Sequence, residues 1–137
     1  MTAPSTVDNE AIYRSFVEDV LNAKNVEAAE NFFAASLIDH SLPPDIPGTL
    51  EGFKDWYKAF AAAFPDARWD LDVIFACGDL LARQQSVRAT HTGEFMGMPP
   101  TGRTINVAEA GIVRFEGGRM VEFWGVFDEA RLIQQLS

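Results

Sequence analysis

The stretch from Trp69 to Phe127 constrains the fold more than any other part of the chain. It reads as four successive runs rich in β-branched and aromatic residues: Trp69–Ala76, Leu80–Thr92, Arg103–Phe115 and Arg119–Phe127. Gly78-Asp79 and Glu116-Gly117-Gly118 have the composition of tight hairpin turns, which join antiparallel neighbours. A longer Gly/Pro loop, Gly93–Gly102, separates the second run from the third. Such a meander leaves one apolar face that something else must cover.

The preceding residues supply the cover. Ile12, Phe16, Val17, Val20 and Leu21 recur at helical spacing and predict a helix of about four turns. Asn25 is placed to cap a second, short helix through Ala34, with Val26, Ala29 and Phe33 inward. A short strand is expected at Leu37–Ser41, then a loop at Leu42–Gly48. Thr49 can cap a third helix whose Phe53, Trp56, Tyr57, Phe60, Ala61 and Phe64 form a wide aromatic face, ended by Pro65. Asp128 can cap a closing helix, Glu129–Leu136. Helices first and a meander after is a segregated α+β order. A twisted sheet curling around an aromatic helix gives a cone with an apolar pocket. At 137 residues the chain fits one domain, with residues 1–6 expected to fray.

Charge and cysteine usage narrow the function. Eleven Lys and Arg against twenty Asp and Glu leave a net charge of −9, which disfavours nucleic acid and anionic membrane. No segment approaches the roughly 20 apolar residues of a spanning helix. Cys77 is the only cysteine, so no internal disulfide forms and a cytoplasmic location is expected; no activating neighbour gives it a function. His40 and His91 lie far apart without a ligand cluster, so no metal site is expected.

Several segments together resemble one family. They are Leu37-Ile38-Asp39-His40, then Gly52-Phe53-Lys54 with Ala63-Phe64-Pro65-Asp66, and above all the stretch from Thr90-His91-Thr92-Gly93 through Met98-Pro99-Pro100-Thr101-Gly102-Arg103. Arg114-Phe115-Glu116-Gly117-Gly118-Arg119 and Val121-Glu122-Phe123-Trp124 follow in order. With them the chain resembles the SnoaL-like polyketide cyclases of the nuclear transport factor two superfamily over nearly its whole length. The resemblance implies a cone-shaped α+β barrel, a homodimer, no cofactor, and a pocket for a small hydrophobic organic substrate. In the aldol cyclases of this family an aspartate on the last strand and a histidine on its neighbour move the proton. Those positions fall here on Gly125 and Gly111, which can move none.

Strand parity offers a replacement. Ile105, Val107, Glu109, Gly111, Val113 and Phe115 share one side of their strand, and Val121, Phe123, Gly125 and Phe127 share one side of the next. The resemblance turns Gly111 and Gly125 inward, so Glu109 should face the pocket, where desolvation raises a carboxyl's pKa. Glu109 is the first candidate acid/base, against a structural ion pair with Arg83, Arg88 or Arg103. His40 is the second, near where the related ketosteroid isomerases carry a base; a histidine closing the strand is the alternative. Asp39 beside it points to the opposite face, so only one of the two can look inward. Arg83 or Arg103 could hold a substrate oxygen. Tyr13, Trp56, Phe60, Phe123 and Trp124 are core or pocket wall, and His91 is a loop anchor or a substrate contact.

Three functions are compatible with these residues. One is cofactor-free proton-transfer chemistry, the cyclisation, isomerisation or dehydration of a polyketide- or terpenoid-like substrate. Another is a non-catalytic small-molecule-binding protein of the same fold. An assembly module using the outer sheet stripe of Asn106, Arg114 and Glu122 is a third, with nothing to favour a protein cargo.

Overall fold

The hairpin turns form where glycine makes them inexpensive: Gly78 and Gly117 take φ of 61° and 57°, a region disfavoured for side-chain-bearing residues. In the computed structural model, which describes residues 6–137 and side chains from Asn9 onward, they link the strands of one curved sheet. The elements run α1 (Thr6–Phe16), continued by a π-helical turn Val17–Asn22, a 3-10 segment Val26–Asn31, β1 (Phe33–Asp39), α2 (Leu50–Ala63), β2 (Arg68–Cys77), β3 (Leu80–Thr90), β4 (Thr104–Glu116), β5 (Arg119–Phe127) and α3 (Glu129–Leu136). The strand order is β1-β5-β4-β3-β2. Strands β2 to β5 pair as the antiparallel meander, and β1 adds to the outer edge of β5 in parallel. The sheet is therefore mixed, and the α+β cone expected from the sequence is present.

Alternation along β3 and β4 defines the concave face. Leu81, Val87, Ala89, Ile105, Val107, Val113 and Phe115 are buried there against Phe16, Phe53, Phe60 and Phe64 of the helices. Helix α2 begins as expected, with Thr49 Oγ1 accepting from the Gly52 amide at 3.1 Å, a cap worth about 1 kcal/mol. Asp128 caps α3 likewise, accepting from the Arg131 amide at 3.1 Å.

Three local expectations are corrected. The second helix is only a 3-10 segment that stops at Asn31; Asn25 makes no side-chain cap and Phe33 already belongs to a strand. The β1–β5 hydrogen bonds claim that backbone, with the Met120 amide donating to the Phe32 carbonyl at 2.8 Å. Val121 does not share the inward stripe. A register shift between Arg114 and Phe115 makes Met120 the opposite of Phe115, so Met120 is buried at 0% exposure and Val121 falls at the irregularity. Of the expected frayed segment, residues 1–5 lie outside the described residues, and Thr6 opens α1.

Candidate functional site

Between the concave face and the helices lies a cavity of about 830 Å³. Its walls are mainly apolar and aromatic: Phe53 and Trp56 from α2, Trp69 from β2, Phe123 and Phe127 from β5, and Leu132 from α3. The loop Leu42–Ile46 and the segment Glu94–Met96 form its mouth.

One polar network stands in this wall, and the sheet register builds it. Gln85 on β3 lies opposite Glu109 on β4, and Arg83, two residues earlier on the same face, lies opposite Gly111. Glu109 Oε1 accepts from Gln85 Nε2 at 2.8 Å and from Arg83 Nη2 at 3.0 Å. Arg83 Nε donates to the Tyr13 hydroxyl at 2.9 Å, and that hydroxyl donates to Gln85 Oε1 at 2.8 Å. The four residues close a ring of hydrogen bonds from three elements. Glu109 Oε2 accepts nothing from the described residues and faces the cavity beside Gly125.

Gly111 is what admits this arrangement. A β-carbon there would overlap the Trp124 carbonyl oxygen and come 2.7 Å from Arg83 Nη1. Without one, the guanidinium lies over the Phe123 ring, 4.6 Å from its centroid, and reaches Glu109. Gly125 differs: a β-carbon would meet side chains only, Phe123 at 3.2 Å, Glu109 Oε2 at 3.3 Å and Ser41 at 3.4 Å.

Burial sets the electrostatics. It pushes the Glu109 carboxyl above the usual carboxylate range; Arg83 and the Gln85 hydrogen bond pull it back, and Asp39 pushes it up further. Burial likewise raises the Tyr13 hydroxyl to about 12, so Tyr13 stays a neutral donor. Asp39 is the second carboxyl in the depth of the cavity and is only 6% exposed. Its Oδ1 accepts from the Ser41 amide at 2.8 Å and the Ser41 hydroxyl at 2.5 Å, while Oδ2 accepts nothing from the described residues. Burial raises its pKa, against the two Ser41 hydrogen bonds.

The candidates read from the sequence distribute as follows. Glu109, Tyr13, Trp56 and Phe123 line the cavity, with Arg83 directly behind Glu109. Phe60 is buried at 1% exposure and backs the wall, stacked on Trp56 with centroids 5.4 Å apart. Gly125 borders the cavity and Gly111 makes room for Arg83. His40 is corrected: it lies on the other side of the sheet, stacked on Trp124 and 2.7 Å from Glu122. Asp39 takes the inward place because it shares parity with buried Leu37. His91 is a loop anchor, stacked on Phe64 and accepting from the Thr101 amide through Nδ1 at 3.2 Å. Gln85 and Asp39 were missed as site residues. Gln85 shares parity with Leu81, Val87 and Ala89, which was the available signal.

The model of the SnoaL-like polyketide cyclase family matches residues 11–136, and the chain belongs to that family. No curated protein matches it. Among solved structures it is similar to a proposed polyketide cyclase from Acidithiobacillus ferrooxidans, at 30% identity over 99% of this chain and 97% of that one, TM-score 0.83. IdmH from Streptomyces antibioticus, also a proposed polyketide cyclase, is 29% identical over 93% and 97%, TM-score 0.83. AclR from Streptomyces galilaeus, a proposed hydroxylase, is 26% identical over 96% and 86%, TM-score 0.86.

Proposed function

We propose that this protein catalyses proton transfer on a small, largely apolar carbonyl compound, with Glu109 as the base. One observation carries the reading. Oε1 of Glu109 is clamped by Arg83 and Gln85, while Oε2 is free and open to a cavity of about 830 Å³. A carboxylate fixed in this way needs no rearrangement to reach a substrate proton, and its raised pKa brings it nearer to that of the group it must deprotonate.

The step is enolisation. Glu109 Oε2 takes a proton from the carbon next to the carbonyl, the electron pair of that C–H bond becomes the enolate C=C bond, and the carbonyl π pair moves onto the oxygen. Asp39, whose pKa burial also raises, is a second carboxyl in the cavity, and in its protonated form it would hydrogen-bond the developing enolate oxygen. Glu109 then returns the proton to another carbon, which isomerises the substrate, or to a departing β-hydroxyl, which leaves as water, or to the oxygen of a second carbonyl that the enolate has attacked, which closes a ring. All three begin with the same abstraction, and none requires a cofactor. A polyketide- or terpenoid-like body suits the aromatic walls. The glycines at 111 and 125 argue against transfer of the aldol cyclases' own acid/base pair.

The test uses exchange instead of a known product. 2-Tetralone is incubated with the protein in D₂O and the loss of its α-proton signals is followed by NMR. Wild type should accelerate the loss, and Glu109→Gln should abolish that acceleration while binding persists. Unchanged exchange in Glu109→Gln would sink the reading and leave the non-catalytic binding protein.

A homodimer across the convex sheet face belongs to the same proposal. Val73, Phe75, Ile112 and Val126 stand there between 44% and 76% exposed, an apolar patch that a second copy would cover. Phe75→Glu should then elute as a monomer. The acidic surface argues against nucleic acid, and the exposed thiol of Cys77 suits a reducing, cytoplasmic setting. No helix among the described residues is long and apolar enough to cross a membrane.

A further inference from the structure

The residues around the cavity share one sign of charge. Asp39 and Glu109 lie in its depth, and Asp45, Asp55, Glu94 and Glu129 stand exposed around it. These six carboxylates come from β1, β4, the loop after β1, α2, the loop after β3, and α3. Among the described lining residues there is no Lys, Arg or His. The nearest cation, Arg83, has a side chain at 0% exposure and is engaged with Glu109 and Tyr13, so no incoming ligand reaches it. The chain as a whole carries −9, which reinforces the local field.

An acidic rim alone would not identify a ligand. Two further observations do. Asp39 is more than nine-tenths buried, lines the cavity and holds one oxygen without a partner among the described residues. Its Oδ1 is held by Ser41, and its free oxygen keeps accessible surface in the cavity, where the N–H of an ammonium group would donate to it. The walls between the carboxylates are aromatic, with Trp56, Phe53, Phe95, Phe123 and Phe127 among them. Aromatic faces attract cations as carboxylates do, and the two together mark sites for organic ammonium groups.

Resting on the reading that this cavity is the substrate site, we infer that its ligands are ring compounds bearing a protonated amine. Free acids, phosphate esters and coenzyme A thioesters are disfavoured. The ring body fills the aromatic depth, and the ammonium group sits against carboxylate oxygen. An anion of the same shape meets a field of the wrong sign with no accessible cation to offset it.

Three probes of nearly equal shape test this by quenching of tryptophan fluorescence at neutral pH: 2-naphthylmethylamine, 2-naphthylmethanol and 2-naphthoate. The ammonium should bind at least about tenfold more tightly than the alcohol, which corresponds to ~1.4 kcal/mol, and the naphthoate more weakly than either. Raising ionic strength from about 20 mM to about 500 mM should shrink the spread between probes without abolishing binding of the alcohol. In Asp55→Asn/Glu94→Gln the preference for the ammonium should fall severalfold while the alcohol keeps its affinity. Equal binding of ammonium and alcohol, or tightest binding of naphthoate, overturns the charge assignment and leaves the cavity as a substrate site. Failure of all three probes overturns the assignment and the substrate site together.

Discussion

The two faces of the sheet each carry a glutamate paired with an arginine, and the pairs behave in opposite ways. On the concave face Glu109 meets Arg83 at 3.0 Å, and on the convex face Glu122 meets Arg114 at 3.2 Å. Glu109 is raised, because loss of water around the carboxylate outweighs the arginine beside it. Glu122 is lowered, first by its hydrogen bond to His40, then by Arg114, with water close by. Nearly equal distances thus give opposite shifts. Proximity of charges does not make a proton-transfer group; the solvent that the fold removes does.

The largest effect that could break this contrast is on turnover. Glu109→Gln should lower α-proton exchange by about 10²–10⁴-fold, the usual contribution of a general base, while Glu122→Gln leaves it within experimental error. Comparable losses from both would mean that the concave pair is not special.

Stability gives the next test. Arg83→Met leaves a buried carboxylate without its cation and should cost about 3–5 kcal/mol in urea unfolding. Arg114→Met removes a water-screened pair and should leave the unfolding midpoint where it was.

The glycines sharpen the comparison within the concave face. Gly111→Ala forces the β4–β5 backbone and Arg83 apart, and about 1–3 kcal/mol of destabilisation should accompany a loss of exchange. Gly125→Ala meets only side-chain atoms that can yield, and circular-dichroism melts should show a smaller loss.

The smallest expected effect is on pH. Exchange should rise with pH through a limb above the ordinary glutamate pKa of 4.5, and Asp39→Asn, by removing a neighbouring negative charge, should move that limb to lower pH. The sign for stability differs between faces. Because folding raises the Glu109 pKa, the folded state holds its proton longer, and the carboxyl's penalty grows as pH rises above 4.5. Because folding lowers that of Glu122, its contribution is full above 4.5 and is lost as pH falls. Unfolding of Glu109→Gln and Glu122→Gln across pH 3–7 should therefore diverge from wild type in opposite directions.

How far the site was legible depended on strand context. Glu109 could be placed because Ile105, Val107, Val113 and Phe115 spell out an inward stripe on a long strand paired on both sides. Asp39 and His40 could not be separated as easily. They end a short edge strand followed by a proline-rich loop, and its buried apolar residues are only Phe33, which the helical pattern claims in the sequence, and Leu37. Val121 was misplaced because one register shift inverts parity, and nothing in its composition announces the shift.

What the sequence determined by itself was the architecture and the inward carboxylate, because both follow from periodicity, turn residues and the apolar pattern along each element. Only the tertiary structure decided which groups Glu109 would meet. Tyr13, Arg83, Gln85 and Gly111 come from α1, β3 and β4, and their meeting depends on strand register and on the absence of one β-carbon. Those are relations between distant segments, and no local pattern encodes them.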